Sequence, residues 1–153
     1  MNWVDGDILD FERGVICNVV NPDGTMGAGL ALQIARKWPH VEIHYKACVE
    51  DAHANNYWSN IYTKVNDGLF VCSMFAMASL HTPMPRFRYT SFVSCLHDLK
   101  HWHESSGRNA DNMPVLIPLG MGAGLAGGHW HLIERMIQEI TPSAIIVRYN
   151  KGQ

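Results

Sequence analysis

The chain has no excess of charge of either sign and no long apolar run. Its 12 Lys and Arg residues face 14 Asp and Glu residues, for a formal net charge of −2 at pH 7. This balance offers no general attraction for a phosphate backbone, so strong non-specific nucleic-acid binding is not expected. No apolar run approaches the ~20 residues of a membrane span, and the pattern of a signal peptide is missing after Met1. We therefore expect a cytoplasmic protein with no membrane partner.

Cysteine pairs are also missing. The four cysteines are widely spaced, and no two of them form a Cys-x-x-Cys motif. This spacing is typical of free thiols in a reducing compartment. Three of them stand in apolar surroundings and are predicted core residues: Cys17, Cys72 and Cys95.

Histidine is plentiful, with nine in the chain, but a metal-ligating set is not evident. His97 and His101 stand four residues apart on a predicted helix, a spacing at which two histidines can ligate zinc. Charged neighbours such as Asp98 and Lys100 favour a solvated helix face instead. We expect no metal site and no cofactor.

Apolar residues make up 47% of the chain, enough for a packed core, and residues 1–153 are predicted to form one domain. Periodicity predicts strands at 2–4, 14–20, 61–65, 69–75, 115–117 and 144–149. It predicts helices at 28–38, 39–49, 89–104 and 130–140. This alternation indicates an α/β fold, a three-layer α/β/α sandwich with a mixed, mostly parallel central sheet.

Two glycine-rich loops each follow a predicted buried strand and lead into a predicted helix. The first glycine loop covers residues 24–29, and the second covers residues 120–128. Glycines at such a junction let backbone N–H groups approach a phosphate at the positive end of the helix dipole. Two loops of this kind predict a diphosphate held from both sides.

Two common phosphate-binding motifs do not fit these loops. Residues 122–127 match Gly-x-Gly-x-x-Gly, but no acidic residue ends the next predicted strand, which runs through Arg148 and Tyr149. A dinucleotide-binding Rossmann unit requires that acid for the ribose. The first glycine loop lacks the Gly-Lys-Ser/Thr ending of a Walker loop, which excludes that class of ATPase.

Four polar side chains near the predicted strand ends each leave two interpretations open. Asp7 either caps a short turn or accepts a hydrogen bond from the exocyclic amine of a base. Asn18 and Asn21 either tie down the first glycine loop or reach a sugar hydroxyl. His129 is either a surface residue at a helix start or a proton-transfer group beside a ligand.

Taken together, three blocks of sequence resemble the macrodomain family, whose members are ADP-ribose-binding α/β/α sandwiches. The blocks are residues 6–8, residues 18–31 and residues 118–130, and the resemblance covers nearly the whole chain. The chain is most similar to the branch that includes terminal ADP-ribose glycohydrolases, antitoxin macrodomains paired with DNA-modifying toxins, and small phage macrodomains. Yeast-type ADP-ribose-1″-phosphate phosphatases are similar in the same blocks.

The resemblance implies a role for each matched position. Asp7 would bind the adenine amine, the Ile8 backbone would help to hold the ring, and Asn21 would meet the distal ribose. The remaining ligand-binding positions are Asn18, the wall Gly27, Ala28 and Gly29, the opposite wall Gly122, Ala123, Gly124, Leu125 and Ala126, and the adenosine side Tyr149 and Asn150.

Departures from the family pattern concern the chemistry. The glycohydrolase branch uses a lysine just after the strand at 69–75 and an aspartate in the second glycine loop; this chain has no lysine at 73–78 and has Ala126 in that loop. A lysine-linked mechanism is therefore not expected. The predicted function is water-mediated hydrolysis of ADP-ribose-1″-phosphate or of ADP-ribosyl groups on protein or nucleic acid, with Asn21, Asp23 and His129 as candidate catalytic residues. The alternative is a non-catalytic binder of ADP-ribose or a related signalling nucleotide.

Overall fold

A six-stranded sheet forms the centre of the protein in a computed structural model that describes residues 1–149. In chain order the strands are β1 Asn2–Asp5, β2 Gly14–Val19, β3 Ile61–Asn66, β4 Leu69–Met74, β5 Val115–Pro118 and β6 Ile145–Arg148. Their spatial order is β1-β6-β5-β2-β4-β3. Every neighbouring pair is parallel except β3–β4, which form an antiparallel hairpin.

Four α-helices flank the sheet, and two short 3₁₀ helices lie at Ile8–Asp10 and Ser105–Gly107. The α-helices are α1 Gly29–Lys37, α2 Pro39–Asn55, α3 Tyr89–Glu104 and α4 Trp130–Ile140. Within residues 1–149, no helix combines the length and the apolar character needed to cross a membrane.

The two faces of β2 show how the layers are built. Cys17 lies in a buried cluster with residues of α3 and α4, including Leu96 and Ile133. Ile16, which points to the opposite face, lies in a second cluster with residues of α1 and α2, including Ile34. A strand that is apolar on both faces needs helices on both sides, and this is the predicted α/β/α sandwich with its mixed, mostly parallel sheet.

The predicted elements all exist, and the differences concern their ends. Helices α3 and α4 have the predicted bounds, and the hairpin turn between β3 and β4 forms as predicted. Helix α2 continues to Asn55, six residues beyond the predicted end at Val49, and stops where Asn56 adopts a left-handed conformation with φ of 51°. Asparagine tolerates that conformation, so it ends a helix that carries no glycine or proline there.

Gly14 opens β2 at a position that no other residue fits. Its φ is +131°, and an added Cβ would lie 2.6 Å from the carbonyl oxygen of Pro114. Gly68 lies at the same end of the sheet, and a Cβ added there would make only an ordinary contact of 3.5 Å with the main-chain carbonyl oxygen of Glu12.

Gly14→Ala is therefore expected to lower the free energy of unfolding by about 2–3 kcal/mol, because it adds backbone strain and a clash with main-chain atoms. Gly68→Ala, the matched control, should change it by less than about 1 kcal/mol. Urea unfolding monitored by tryptophan fluorescence measures both. Equal effects of the two substitutions would contradict this account of β2.

Candidate functional site

A cleft of about 750 Å³ lies at the carboxyl ends of the parallel strands. Because β2 and β5 are neighbours, the segments that follow them face each other across this cleft. Residues 18–21, 25 and 27–31 line one side, and residues 118–122 and 124–126 line the other. Met77 and Leu80, which follow β4, lie at one end. The two glycine loops therefore form opposite walls of one site.

The start of α1 supplies donors to this cleft. Its N-cap is Ala28, whose side chain cannot cap the helix, and the first intrahelical bond runs from the Leu32 amide to the Ala28 carbonyl (3.2 Å). The amides of Gly29, Leu30 and Ala31 precede that bond, and all three residues line the cleft. Uncapped N–H groups at the positive end of a helix dipole favour an anion.

Titratable side chains are absent from the cleft lining among the residues that the structure describes. The polar side chains in the lining are Asn18, Asn21 and Thr25. Exposed apolar side chains, Leu119 and Leu125, stand at its rim, the second with 61% of its surface accessible. An anion in this cleft would be held by backbone dipoles and not by a charged side chain.

Asn21 organises the first glycine loop. Its Oδ1 accepts hydrogen bonds from the Asp23 amide (3.0 Å) and from the Tyr45 hydroxyl (2.8 Å), while its Nδ2 donates to the Thr25 carbonyl (3.0 Å). These bonds use the hydrogen-bonding capacity of the amide, since Nδ2 also lies 3.2 Å from the Thr25 hydroxyl. Of the two interpretations from sequence, the structure shows Asn21 tying down the loop.

Tyr45 reaches this loop from the middle of α2. Its hydroxyl lies 2.6 Å from the main-chain carbonyl oxygen of Asn21 and accepts a hydrogen bond from the Gly24 amide at 3.1 Å. Burial raises the pKa of Tyr45 to about 12, so the phenol stays protonated and remains a donor at physiological pH. Sequence reasoning missed this residue. The available signal was its place between Val41 and Val49 on the buried stripe of α2.

Asn18 differs from Asn21 in having an unused donor. It is buried with 6% of its surface exposed, it lines the cleft, and its Nδ2 has no hydrogen-bond partner within residues 1–149. A buried amide without a partner is costly and rare in folded proteins. Asn18 is therefore a cleft-lining residue whose side-chain donor is unused within residues 1–149.

Asp7 caps the 3₁₀ helix that follows β1, because its Oδ1 accepts from the Leu9 amide at 2.9 Å. It lies at the carboxyl end of β1, and Tyr149 lies at that of the neighbouring β6, where its side chain is 63% exposed. The Leu119 amide bonds to the Val147 carbonyl (3.0 Å), so the cleft adjoins this end of β6.

The predicted site residues separate into three groups. Nine positions line the cleft: Asn18, Asn21, Gly27, Ala28, Gly29, Gly122, Gly124, Leu125 and Ala126. Six do not: Asp7, Ile8, Asp23, Ala123, His129 and Tyr149. Asn150 lies outside the described residues. Asp23 and His129, both predicted to be catalytic, are thus placed around the cleft and not in its lining.

His129 is exposed and forms the N-cap of α4, with its amide donating to the Tyr89 hydroxyl at 2.8 Å. Among the other histidines, His97 and His101 are exposed as the solvated helix face predicts, whereas His103 is buried and bonds to the Met113 carbonyl. Within residues 1–149, no group of three or more potential metal ligands comes together.

The cysteines behave as predicted core residues. Cys17, Cys72 and Cys95 are buried and free. Burial raises the pKa of the Cys95 thiol to about 12 and holds that of Cys72 well above its usual range, so neither thiol ionises at physiological pH.

Comparisons with known proteins bear on the fold. No protein-family model matches the sequence. An uncharacterized 17.5 kDa protein from the tk-vs intergenic region of Enterobacteria phage T4 is 26% identical over 151 residues, which cover 96% of this chain and 94% of that protein.

Solved structures give a closer account of the architecture. A Bacteroides thetaiotaomicron protein superimposes with a TM-score of 0.82 at 24% identity, over 98% of this chain and 99% of that one. A macrodomain protein from Streptomyces coelicolor gives 0.75 at 24% identity, over 99% of both chains. DarTG from Thermosipho africanus, solved in complex with ADP-ribose, gives 0.77 at 14% identity, over 99% of this chain and 42% of that chain. The resemblance stated from the sequence is confirmed at the level of the fold: this protein has the macrodomain fold.

Proposed function

We propose that the cleft binds ADP-ribose or an ADP-ribosyl group. The observation that carries the proposal is the pair of glycine loops on opposite walls of one cleft, with the uncapped start of α1 on the first wall. Backbone amides on both sides suit a diphosphate. The fold likeness to DarTG, whose structure contains ADP-ribose, supports the same ligand.

The strand order gives the ligand a direction. Across the carboxyl edge of the sheet the order is β1, β6, β5, β2, β4. We place the adenine towards β1 and β6, where Asp7 accepts from the exocyclic amine and Tyr149 offers an aromatic face. The diphosphate lies between the glycine loops. The distal ribose then lies towards β4, beside Asn18, which lines the cleft and whose buried Nδ2 has no partner within residues 1–149.

Hydrolysis is the second candidate function, and one observation favours it. Asp23, which directly precedes the first glycine loop, is exposed, and its Oδ2 accepts a hydrogen bond from the Leu80 amide at 2.7 Å. Its Oδ1 accepts no hydrogen bond from residues 1–149, so a carboxylate oxygen beside the distal end of the cleft is available to a water molecule. Asp23 would accept a proton from that water as the water oxygen bonds to the anomeric carbon, and the bond to the group attached there would break, with the diphosphate and Asn18 holding the ribose.

Gly124→Val tests the position of the diphosphate. Gly124 lines the cleft, its backbone is not left-handed, and an added Cβ would meet no atom within 4 Å, so the fold accepts a side chain there. We expect Val to weaken ADP-ribose binding by at least about tenfold through exclusion of the phosphates, with Ala intermediate. Calorimetry measures the affinity, and urea unfolding confirms the fold. Unchanged affinity in a folded Gly124→Val protein would place the diphosphate elsewhere.

Asp7→Asn separates capping from base recognition. Asparagine keeps the oxygen that accepts from the Leu9 amide but presents an amide donor to the adenine amine. We expect Asn and Ala to weaken ADP-ribose binding similarly, by about 1–3 kcal/mol, while only Ala lowers stability. Asp7→Asn should also favour the hypoxanthine counterpart, which carries a carbonyl in place of the amine. Wild-type affinity and base preference in Asp7→Asn would make Asp7 a cap only.

A turnover assay decides between binding and hydrolysis. The protein is incubated with ADP-ribose-1″-phosphate and with ADP-ribosylated protein and DNA, and products are followed by chromatography. If the cleft hydrolyses one of them, Asp23→Asn should lower kcat by at least about a hundredfold with little change in binding, as expected for loss of a general base. Binding without turnover of any of these substrates would leave the non-catalytic binder as the function.

A further inference from the structure

A single segment contacts the second glycine loop and Asp23, the residue that directly precedes the first glycine loop. We call residues 76–88, which join β4 to α3, the strap. It folds back on itself, since the Ala78 amide bonds to the Arg86 carbonyl and the Arg88 amide to the Ala76 carbonyl, each at 2.8 Å. Met77 and Phe87 form an antiparallel bridge within it. Because of this pairing the two halves of the strap move together, so a displacement of one half displaces the other.

Asp23 connects the strap to the start of the first glycine loop, because it directly precedes Gly24. Its Oδ2 accepts a hydrogen bond from the Leu80 amide at 2.7 Å, across 57 residues of sequence. Asp23 is itself fixed by its own amide, which donates to the Asn21 side chain. The carboxylate therefore joins the segment held by Asn21 to Leu80, the strap residue that lines the cleft at its β4 end.

Arg86 connects the strap to the second glycine loop. Its Nη1 donates to the Leu125 carbonyl (3.1 Å) and its Nε to the Thr82 carbonyl (2.7 Å), so the guanidinium spans strap and loop. The amides of Arg86 and Phe87 both donate to the Ala126 carbonyl, at 2.7 and 2.8 Å. Leu125 and Ala126 line the cleft on the side opposite Asp23.

Phe87 completes this connection by packing. It is 3% exposed, and a Cβ placed on Gly122 would lie 2.5 Å from its ring. The second glycine loop thus rests directly on a strap side chain, and glycine at position 122 is what permits that approach. Movement of the strap would displace the loop that forms one wall of the cleft.

We propose that Asp23 and Arg86 are positioning residues that act through the strap to fix the separation of the two glycine loops. The inference rests on the proposed function, because it assigns these residues a role in binding the diphosphate. In binding, Asp23 acts as a hydrogen-bond acceptor for the Leu80 amide. Neither side chain needs to touch the ligand. Each holds a wall in the geometry that the ligand requires, which favours affinity by preorganisation.

Calorimetric titration with ADP-ribose of Asp23→Ala, Asp23→Asn, Arg86→Ala and the double Ala variant tests the proposal. Each single Ala variant should lose about fivefold or more in affinity. Asp23→Asn should bind like the wild type, because its amide oxygen still accepts from the Leu80 amide. The double variant should lose less than the product of the single losses, since both residues act through the same strap.

Arg88→Ala is the matched control for charge. Arg88 lies on the same strap and is exposed, and its side chain makes no hydrogen bond or ion pair within residues 1–149. The affinity of the Arg88→Ala protein for ADP-ribose should stay within about twofold of the wild-type value. Two results would overturn the proposal: an Arg86→Ala effect no larger than that of Arg88→Ala, or an Asp23→Asn protein that binds as weakly as Asp23→Ala.

Amide hydrogen exchange tests the strap without any ligand. In Asp23→Ala, exchange should accelerate at Leu80, which loses its acceptor, and also at Phe87, whose bond to Ala126 depends on the strap position. Acceleration confined to Leu80 would show that the strap does not couple the loops and would overturn the inference. A wild-type protein that fails to bind ADP-ribose would overturn the proposed function, and this measurement would still decide the role of the strap.

Discussion

The parallel pairing of β2 with β5 is the constraint on which the candidate site depends. These two strands lie at the centre of the sheet, and their registered pairs include Val15 with Val115 and Ile16 with Leu116. Parallel neighbours end at the same edge, so the segments that follow them must begin side by side. The glycine loops face each other because two strands separated by about a hundred residues of sequence are adjacent in the sheet. An order that placed another strand between them would have separated the walls of the cleft.

Polar groups at this edge must be satisfied without a repeating ladder of hydrogen bonds, and the protein solves this problem differently at its two asparagines. Asn21 and the Tyr45 hydroxyl form a buried network that uses nearly all of its donors and acceptors. Such a network fixes one loop conformation, because any alternative leaves a buried group without a partner. Asn18, three residues earlier, keeps an unused donor. At this edge, therefore, one asparagine holds the loop and the other has a donor that is unused within the described residues.

The fold could be predicted from the sequence because its signals are local. The continuous apolar run of β2, the hairpin turn at 66–68 and the stripe on α3 each depend on a few neighbouring residues, and each formed as predicted. The same holds for the glycine loops, whose composition marks them. The roles of Tyr45, Asp23 and Arg86 could not be predicted, because their partners lie 21, 57 and 39 residues away. Which interpretation applied to Asn21 depended on Tyr45, and therefore on how α2 packs against the sheet.

The chemistry of the lining bears on what the cleft can do. An anion bound among backbone amides needs no arginine or lysine beside it, which fits a chain of net charge −2 and a lining without cations among the described residues. Backbone donors are fixed by the fold, so their value depends on the loops keeping one geometry, whereas a long cationic side chain could follow a displaced phosphate. In such a site, the elements that support the loops must hold them in one geometry. The buried network under the first loop meets that demand, and so does the strap, which contacts the second loop and the residue that leads into the first.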